Sequence, residues 1–123
     1  MKSTQAKIFQ RVRKDHSSEL AEDYVETIKM LIEEDGEARL TTISARMGVA
    51  HPTVAKALKK LDREELVIIK PYRSIALTRK GEKLAEECRN RHQNVVEFLM
   101  CLGLDTETAE TDAEGIEHHV SPK

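Results

Sequence analysis

The chain has 123 residues and a net charge of −2; 39% of residues are hydrophobic and none is tryptophan, so any core is built from Leu, Ile, Val and Ala. Its two cysteines, Cys88 and Cys101, do not have a metal-binding spacing, which argues against a disulfide framework or a thiolate zinc site. Both are expected to be buried on one helix. No apolar run is as long as a membrane span, and the polar start MKSTQAK lacks the core of a signal peptide. We therefore expect a cytoplasmic protein without a membrane partner.

Charge is unevenly distributed along the chain. Residues 1–36 carry six basic and eight acidic side chains, residues 37–84 carry eleven and five, and residues 85–123 carry three and nine. The three net charges are −2, +6 and −6, which sum to the −2 of the whole chain. A basic middle between acidic flanks is typical of a DNA-binding module joined to a cation-binding module.

The N-terminal part is predicted to be a tail followed by a helix. Residues 1–17 are polar and unpatterned, which indicates a mobile tail or a loose helical lead-in. Apolar residues at helical spacing then predict a helix from about Ser18 to Asp35, and Gly36 is a suitable residue to follow its end.

The central segment TTISARMGVAHPTVAKALKKL predicts two helices joined by a tight turn. Thr41 is expected to cap the first of them, which ends at Met47, and Gly48 permits the turn. The second should cover residues 51–65, with Pro52 in its first turn, where a missing N–H is tolerated.

The remaining elements are predicted to be a hairpin and two helices. Two short β-type runs, LVIIK and IALTRKG, flank the turn segment PYRS. A fourth helix should start near Lys80-Gly81, run to Leu102 and end at Gly103. Asp105 or Thr106 is expected to cap a last helix that reaches about His119.

This order of elements predicts a mainly α fold with a small β-hairpin, in which a winged helix-turn-helix is followed by a helical metal-binding and dimerisation segment. The predicted ranges are a tail at 1–17, the winged helix-turn-helix at 18–80 and the helical segment at 81–123.

The helix over residues 51–65 has the two faces of a recognition helix. The supporting helix should pack through Ile43, Ala45 and Met47, and the recognition helix through Val54, Leu58 and Leu61. On the opposite face, short polar groups near the helix start can meet base edges, and lysines further along can meet phosphates. An ordinary solvated lysine face is the alternative interpretation. The candidate DNA-binding residues are Thr41, His51, Pro52, Thr53, Lys56, Lys59, Lys60 and Arg73.

The flanks contain carboxylates and histidines at helical spacing. Asp23 and Glu26 are three residues apart on the first helix, so both emerge on one face. Glu114, Glu117 and His118 share one face of the last helix in the same way. His92 lies on the apolar side of the fourth helix. Taken singly, such residues are usually solvated carboxylates or a hydrogen-bonded core histidine.

Together, four carboxylates and two imidazoles would make an anionic pocket that needs cations. Oxygen-rich ligation with some imidazole suits Mn²⁺ or Fe²⁺, and six donors suit two ions better than one. Zn²⁺ would also bind, because its intrinsic affinity exceeds that of Mn²⁺.

Several stretches resemble the manganese-regulator branch of the diphtheria-toxin-repressor (DtxR/MntR) family. They are AEDYVETI, ARMGVAHPTVAKALKKLDRE, LTRKGEKLAEECRNRHQNVVEFL and DAEGIEHHVS, and the resemblance covers roughly residues 19–121. It implies a homodimeric, metal-activated repressor that binds pseudo-palindromic operators of metal-uptake genes. It also implies the ligand set Asp23, Glu26, His92, Glu114, Glu117 and His118.

The resemblance further implies that Glu26 and Glu117 bridge two ions, and that His119 is not a ligand. Iron-responsive relatives have sulfur-containing residues at the positions of Asp23 and Glu114, so the resemblance favours manganese. Family members normally continue past HHVS with further dimer helices, whereas this chain stops at Lys123. We therefore expect either part of a longer protein or a naturally short form.

Two other classes of function remain open at this stage. One is a metal-independent winged-helix regulator with a vestigial acidic pocket, which metal titration would distinguish. The other is a di-metal carboxylate enzyme, but such sites usually take Glu-x-x-His pairs from bundle helices, and this chain has Glu-x-x-Glu-His. A winged helix would also have no purpose there, so we expect no enzyme activity.

Overall fold

The computed structural model describes residues 4–71 and 74–116. Its elements are α1 (Thr4–Asp35), β1 (Ala38–Arg39), α2 (Leu40–Met47), α3 (His51–Arg63), β2 (Val67–Ile69), β3 (Ser74–Leu77), α4 (Arg79–Cys101) and α5 (Thr106–Ile116). The mainly helical fold with a small sheet is therefore confirmed. Among these residues no helix is both long and apolar enough to cross a membrane.

The chain forms two compact units. One is Asp23–Glu87, called here the winged unit, and the other combines Met1–Glu22 with Cys88–Lys123, called here the helical unit. Helices α1 and α4 each contribute residues to both units, and the ranges 18–80 and 81–123 stay predictions of domain organisation.

Helix α1 begins earlier than its apolar pattern suggests. It starts at Thr4 rather than near Ser18. Of the two predictions for the N-terminal segment, a mobile tail or a helical lead-in, the helical one is therefore correct from Thr4 onward. No glycine or proline interrupts residues 4–35, and a polar stretch of good helix formers can therefore continue the helix.

The winged unit contains a three-stranded antiparallel sheet in the order β1-β3-β2. The hairpin of β2 and β3 was predicted, with Ile69 now paired with Ile75. The strand β1 was not predicted; it places Ala38 opposite Ile75. Two residues are too few to show an alternating pattern, so pairing with β3 alone defines this strand.

Helix α2 is capped differently from the prediction. The N-cap residue is Arg39, and Thr41 lies inside the first turn, so the expectation that Thr41 caps this helix was wrong. Thr42 closes the turn instead: its Oγ1 accepts from the Arg39 N–H at 3.0 Å and donates to the Arg39 carbonyl at 2.9 Å. Gly48 then takes a left-handed conformation with φ +67°, as a tight turn requires.

The core of the winged unit joins helices to the sheet. Its buried side chains include Val25, Ile28, Ile43, Val54, Leu58, Leu61 and Val67. The predicted packing of α3 through Val54, Leu58 and Leu61 is therefore confirmed. On α2 only Ile43 is fully buried; Ala45 is exposed, contrary to the prediction, because the eight-residue helix turns a narrow face to the core.

Thr78, between β3 and α4, ties the start of α4 to the residue stretch that precedes β2. The Thr78 hydroxyl donates to the Glu65 carbonyl at 2.6 Å and accepts from the Gly81 N–H at 3.0 Å. Thr78 therefore caps α4, which starts at Arg79. Gly81 lies so close to Leu66 that a Cβ there would be 2.1 Å from the Leu66 carbonyl oxygen. This close approach requires glycine.

The helical unit has a separate cluster of small and branched side chains. Its buried members are Val95, Val96, Leu99, Ala109 and Ala113. The predicted cap of α5 is confirmed at Asp105, whose Oδ1 accepts from the Thr108 N–H at 2.7 Å. This bond lowers the pKa of the Asp105 carboxyl.

The two cysteines have different environments. Cys88 is buried as expected, but Cys101 is exposed, so its predicted burial was wrong. Cys101 is the last residue of α4.

We expect Gly81→Ala to destabilise the winged unit by roughly 3 kcal/mol, because the new methyl group would overlap backbone rather than a movable side chain. Denaturation followed by circular dichroism measures the effect. Lys83→Ala, at an exposed position on the same helix, is the control and should change stability by less than about 0.5 kcal/mol. An unchanged midpoint for Gly81→Ala would contradict the close approach.

Candidate metal centre and DNA-binding surface

Asp23 and Glu26 lie on α1 in the winged unit, next to core residues. Both are half-buried, between the fully buried Val25 and the nearly buried Tyr24, whose phenol has a pKa raised by burial. The Oε1 atom of Glu26 is withdrawn from solvent. Since α1 is fixed here by its buried residues, the two carboxylates have a defined place on the helix face.

His92 and Glu114 lie together in the helical unit. The His92 ring, 23% exposed, projects from α4 toward α5. Its Nδ1 is 3.6 Å from Oε2 of Glu114, a predicted ligand. The structure therefore brings two of the predicted ligands together across two helices.

The other ring nitrogen of His92 contacts a residue that the sequence analysis missed. Nε2 lies 2.6 Å from Oε2 of Glu110, one helical turn before Glu114 on α5. The i, i+4 spacing of these two glutamates was a usable signal.

The other two predicted ligands, Glu117 and His118, lie outside the described residues, as does His119. Within residues 4–71 and 74–116, no three His, Cys, Asp or Glu side chains are grouped so that they could hold a metal ion. Asp23 and Glu26 belong to one unit, and His92 and Glu114 to the other.

An ion pair in the helical unit lies beside the candidate ligands in sequence. Arg91 Nη1 donates to Glu22 Oε1 at 3.1 Å, and both side chains are largely buried. Glu22 precedes Asp23 on α1, and Arg91 precedes His92 on α4. The ion pair therefore joins the two helices without a metal ion.

The face of α3 opposite its buried residues is exposed. The candidate DNA-contacting residues on this face are His51, Pro52, Thr53, Lys56, Lys59 and Lys60. Thr41 on α2 is also exposed, and Arg73 lies outside the described residues. The first residue of α3 follows Ala50, which makes no side-chain cap. The N-terminal N–H groups of α3 and the lysines beyond them can therefore both face a phosphate backbone.

Comparisons with known proteins agree with both halves of this arrangement. The family described as iron dependent repressor, N-terminal DNA binding domain, matches residues 16–75. The one described as iron dependent repressor, metal binding and dimerisation domain, matches residues 78–123.

Individual proteins are similar over most of the chain. The transcriptional regulator MntR of Escherichia coli O6:H1 (strain CFT073) is 54% identical over 113 residues, which cover 92% of this chain and 73% of that protein. The structure of the manganese regulator SloR matches with a TM-score of 0.70 and 34% identity, over 82% of this chain and 47% of that one.

A manganese-dependent transcriptional repressor in complex with manganese is also similar, with a TM-score of 0.72 and 28% identity over 82% of this chain and 47% of that one. The chain thus spans about half the length of these two solved proteins.

We expect Lys56→Ala and Lys59→Ala each to weaken binding to a duplex of mixed sequence, because each removes a charge from the exposed face of α3. Each should also reduce the slope of log affinity against log salt concentration by about one, as expected for the loss of one phosphate contact. Fluorescence anisotropy over a salt series measures both quantities.

Lys83→Ala is the matched control, since it removes the same charge from α4 in the same unit. If all three variants had the same slope as the unaltered protein, α3 would not be the DNA-binding surface.

Proposed function

The chain belongs to the iron dependent repressor family, and from this premise we propose that it is a manganese-responsive DNA-binding repressor of metal-uptake genes acting in the cytoplasm. The resemblance to the diphtheria-toxin-repressor family is thereby confirmed. The observation that carries the proposal is the pairing of His92 with Glu114 in a chain that also exposes a basic recognition helix. Its relatives are named as transcriptional regulators, and the proposed function involves no catalysis.

We propose that the metal ligands are Asp23, Glu26, His92, Glu114, Glu117 and His118. The donor chemistry fits, because carboxylate oxygens outnumber imidazole nitrogens, as Mn²⁺ prefers. The 3.6 Å between His92 and Glu114 supports a shared site for these two residues, and the buried oxygen of Glu26 supports its use as a ligand. We propose two Mn²⁺ ions per subunit, with Glu26 and Glu117 as bridges and Fe²⁺ or Zn²⁺ as possible substitutes.

We propose that the DNA partner is a pseudo-palindromic operator bound by a homodimer. Two recognition helices related by a twofold axis contact half-sites about 34 Å apart, one turn of DNA. His51 and Thr53, near the start of α3, are placed to meet base edges, with Thr41 and Pro52 beside them. Lys56, Lys59 and Lys60 meet phosphates in this proposal, and Arg73 meets the DNA backbone.

The ligand set suggests how metal controls DNA binding. Asp23 and Glu26 belong to the winged unit, whereas His92 and the α5 carboxylates belong to the helical unit. Bound divalent cations would neutralise these carboxylates. Without that neutralisation the carboxylates repel one another. A hundredfold change in operator affinity requires only about 2.7 kcal/mol of coupling.

We expect saturating Mn²⁺ to raise operator affinity by about a hundredfold, and Glu26→Gln to abolish this response while leaving weak, salt-sensitive DNA binding. Anisotropy titration of operator DNA with and without Mn²⁺ measures the response. Fe²⁺ and Zn²⁺ titrations on the same sample give the metal preference.

Asp35→Asn is the control, because it removes an exposed carboxylate from the end of the same helix. It should respond to Mn²⁺ like the unaltered protein. Equal operator affinity with and without Mn²⁺ in the unaltered protein would refute metal control.

A further inference from the structure

We propose that Glu110 is a positioning residue that sets the tautomer and orientation of His92 for metal binding. This inference rests on the proposed function, since it concerns the same site, but it adds a residue outside the ligand set.

The place of Glu110 follows from the packing of α5 on α4. Ala109 directly precedes Glu110, and Ala113 follows three residues later. Both alanines are fully buried, in a cluster with Val95, Val96 and Leu99. Small side chains allow two helices to approach closely. Glu110 is itself 52% exposed, so its carboxylate lies over His92 because of this close approach rather than through its own burial.

The two nitrogens of His92 have different partners. A carboxylate can only accept, so a 2.6 Å contact with Glu110 places the ring proton on Nε2. In the neutral ring Nδ1 then carries the lone pair, and it faces Glu114 at 3.6 Å, beyond hydrogen-bonding distance. One nitrogen is thus engaged by the protein while the other is directed toward a second proposed ligand. Metal-binding histidines typically show this arrangement.

The short distance between Glu110 Oε2 and His92 Nε2 also argues against the two atoms binding one metal ion together. Two donors about 2.1 Å from one small octahedral ion would lie roughly 3 Å apart at right angles. The observed 2.6 Å is shorter than this separation and lies at the short end of hydrogen-bonding distances. Glu110 therefore acts through His92.

Removing Glu110 also removes a negative charge near the site, so charge and positioning must be separated. Glu110→Gln loses the charge but keeps an oxygen that can accept from Nε2, whereas Glu110→Ala loses both. Glu97→Ala is the charge control, because Glu97 is exposed on α4 in the same unit and projects from a different side of the helix than His92.

The first measurement is the affinity for Mn²⁺ alone, from the electron paramagnetic resonance signal of the unbound ion. We expect Glu110→Ala to weaken binding by about ten- to a hundredfold, as for other residues that orient a ligand. Glu110→Gln should recover most of this loss, and Glu97→Ala should bind as the unaltered protein does. Equal losses in the Gln and Ala variants would show a charge effect only and overturn the proposal.

The second measurement is the tautomer of His92 in the metal-free protein, from nitrogen-15 NMR at about pH 8, where imidazoles are neutral. We expect the proton on Nε2 in the unaltered protein and in Glu110→Gln, and a mixture of tautomers in Glu110→Ala. A proton on Nδ1 in the unaltered protein would overturn the proposal.

This spectrum needs no metal, so it separates two kinds of failure. If the unaltered protein does not bind Mn²⁺, the proposed function fails, and the role of Glu110 in preparing His92 for metal fails with it. If Mn²⁺ binds but the Glu110→Ala variant binds it equally well, only the positioning role fails.

Discussion

The burial of α1 in the winged unit is the constraint on which the site depends most. Val25 and Ile28 are fully buried in the same two turns of helix that carry Asp23 and Glu26. Val25 and Ile28 are three residues apart, as are Asp23 and Glu26, so each pair shares one side of the helix. The packing of the apolar pair therefore also fixes the direction in which the carboxylates project. A ligand pair on a packed helix is better oriented than one on a loop.

The helical unit uses the same principle with smaller side chains. Ala109 and Ala113 bring α5 close to α4, and the acidic residues one position further along the chain, Glu110 and Glu114, then meet both nitrogens of His92. The histidine is thus held between a hydrogen-bond acceptor and a proposed ligand. A substitution that enlarged either alanine would move both glutamates away from the ring.

Local spacing indicates which carboxylates of the candidate site share a helix face, and it was used for Asp23 and Glu26 but missed for Glu110. The pairs Asp23–Glu26 and Glu110–Glu114 share a helix face through spacings of three and four residues, whatever the rest of the chain does. That His92 meets Glu110 and Glu114 could not be derived in this way, since 18 residues separate His92 from Glu110 and only the packing of two helices joins them. The choice of manganese rested on resemblance to a family. The comparisons support membership of that family.

The amino-acid sequence by itself determined the helix-turn-helix, the amphipathic α3 and the β2–β3 hairpin, because periodicity and turn residues act over a few positions. Only the tertiary structure decided that β1 pairs with β3, that Cys101 is exposed and that Glu110 contacts His92. The same limit explains the error at Thr41: its residue type suits a cap, but the pairing of Arg39 with Ser74 ends the strand at Arg39, which is then the N-cap of α2. Contacts between distant segments depend on how whole elements pack, and local patterns do not encode them.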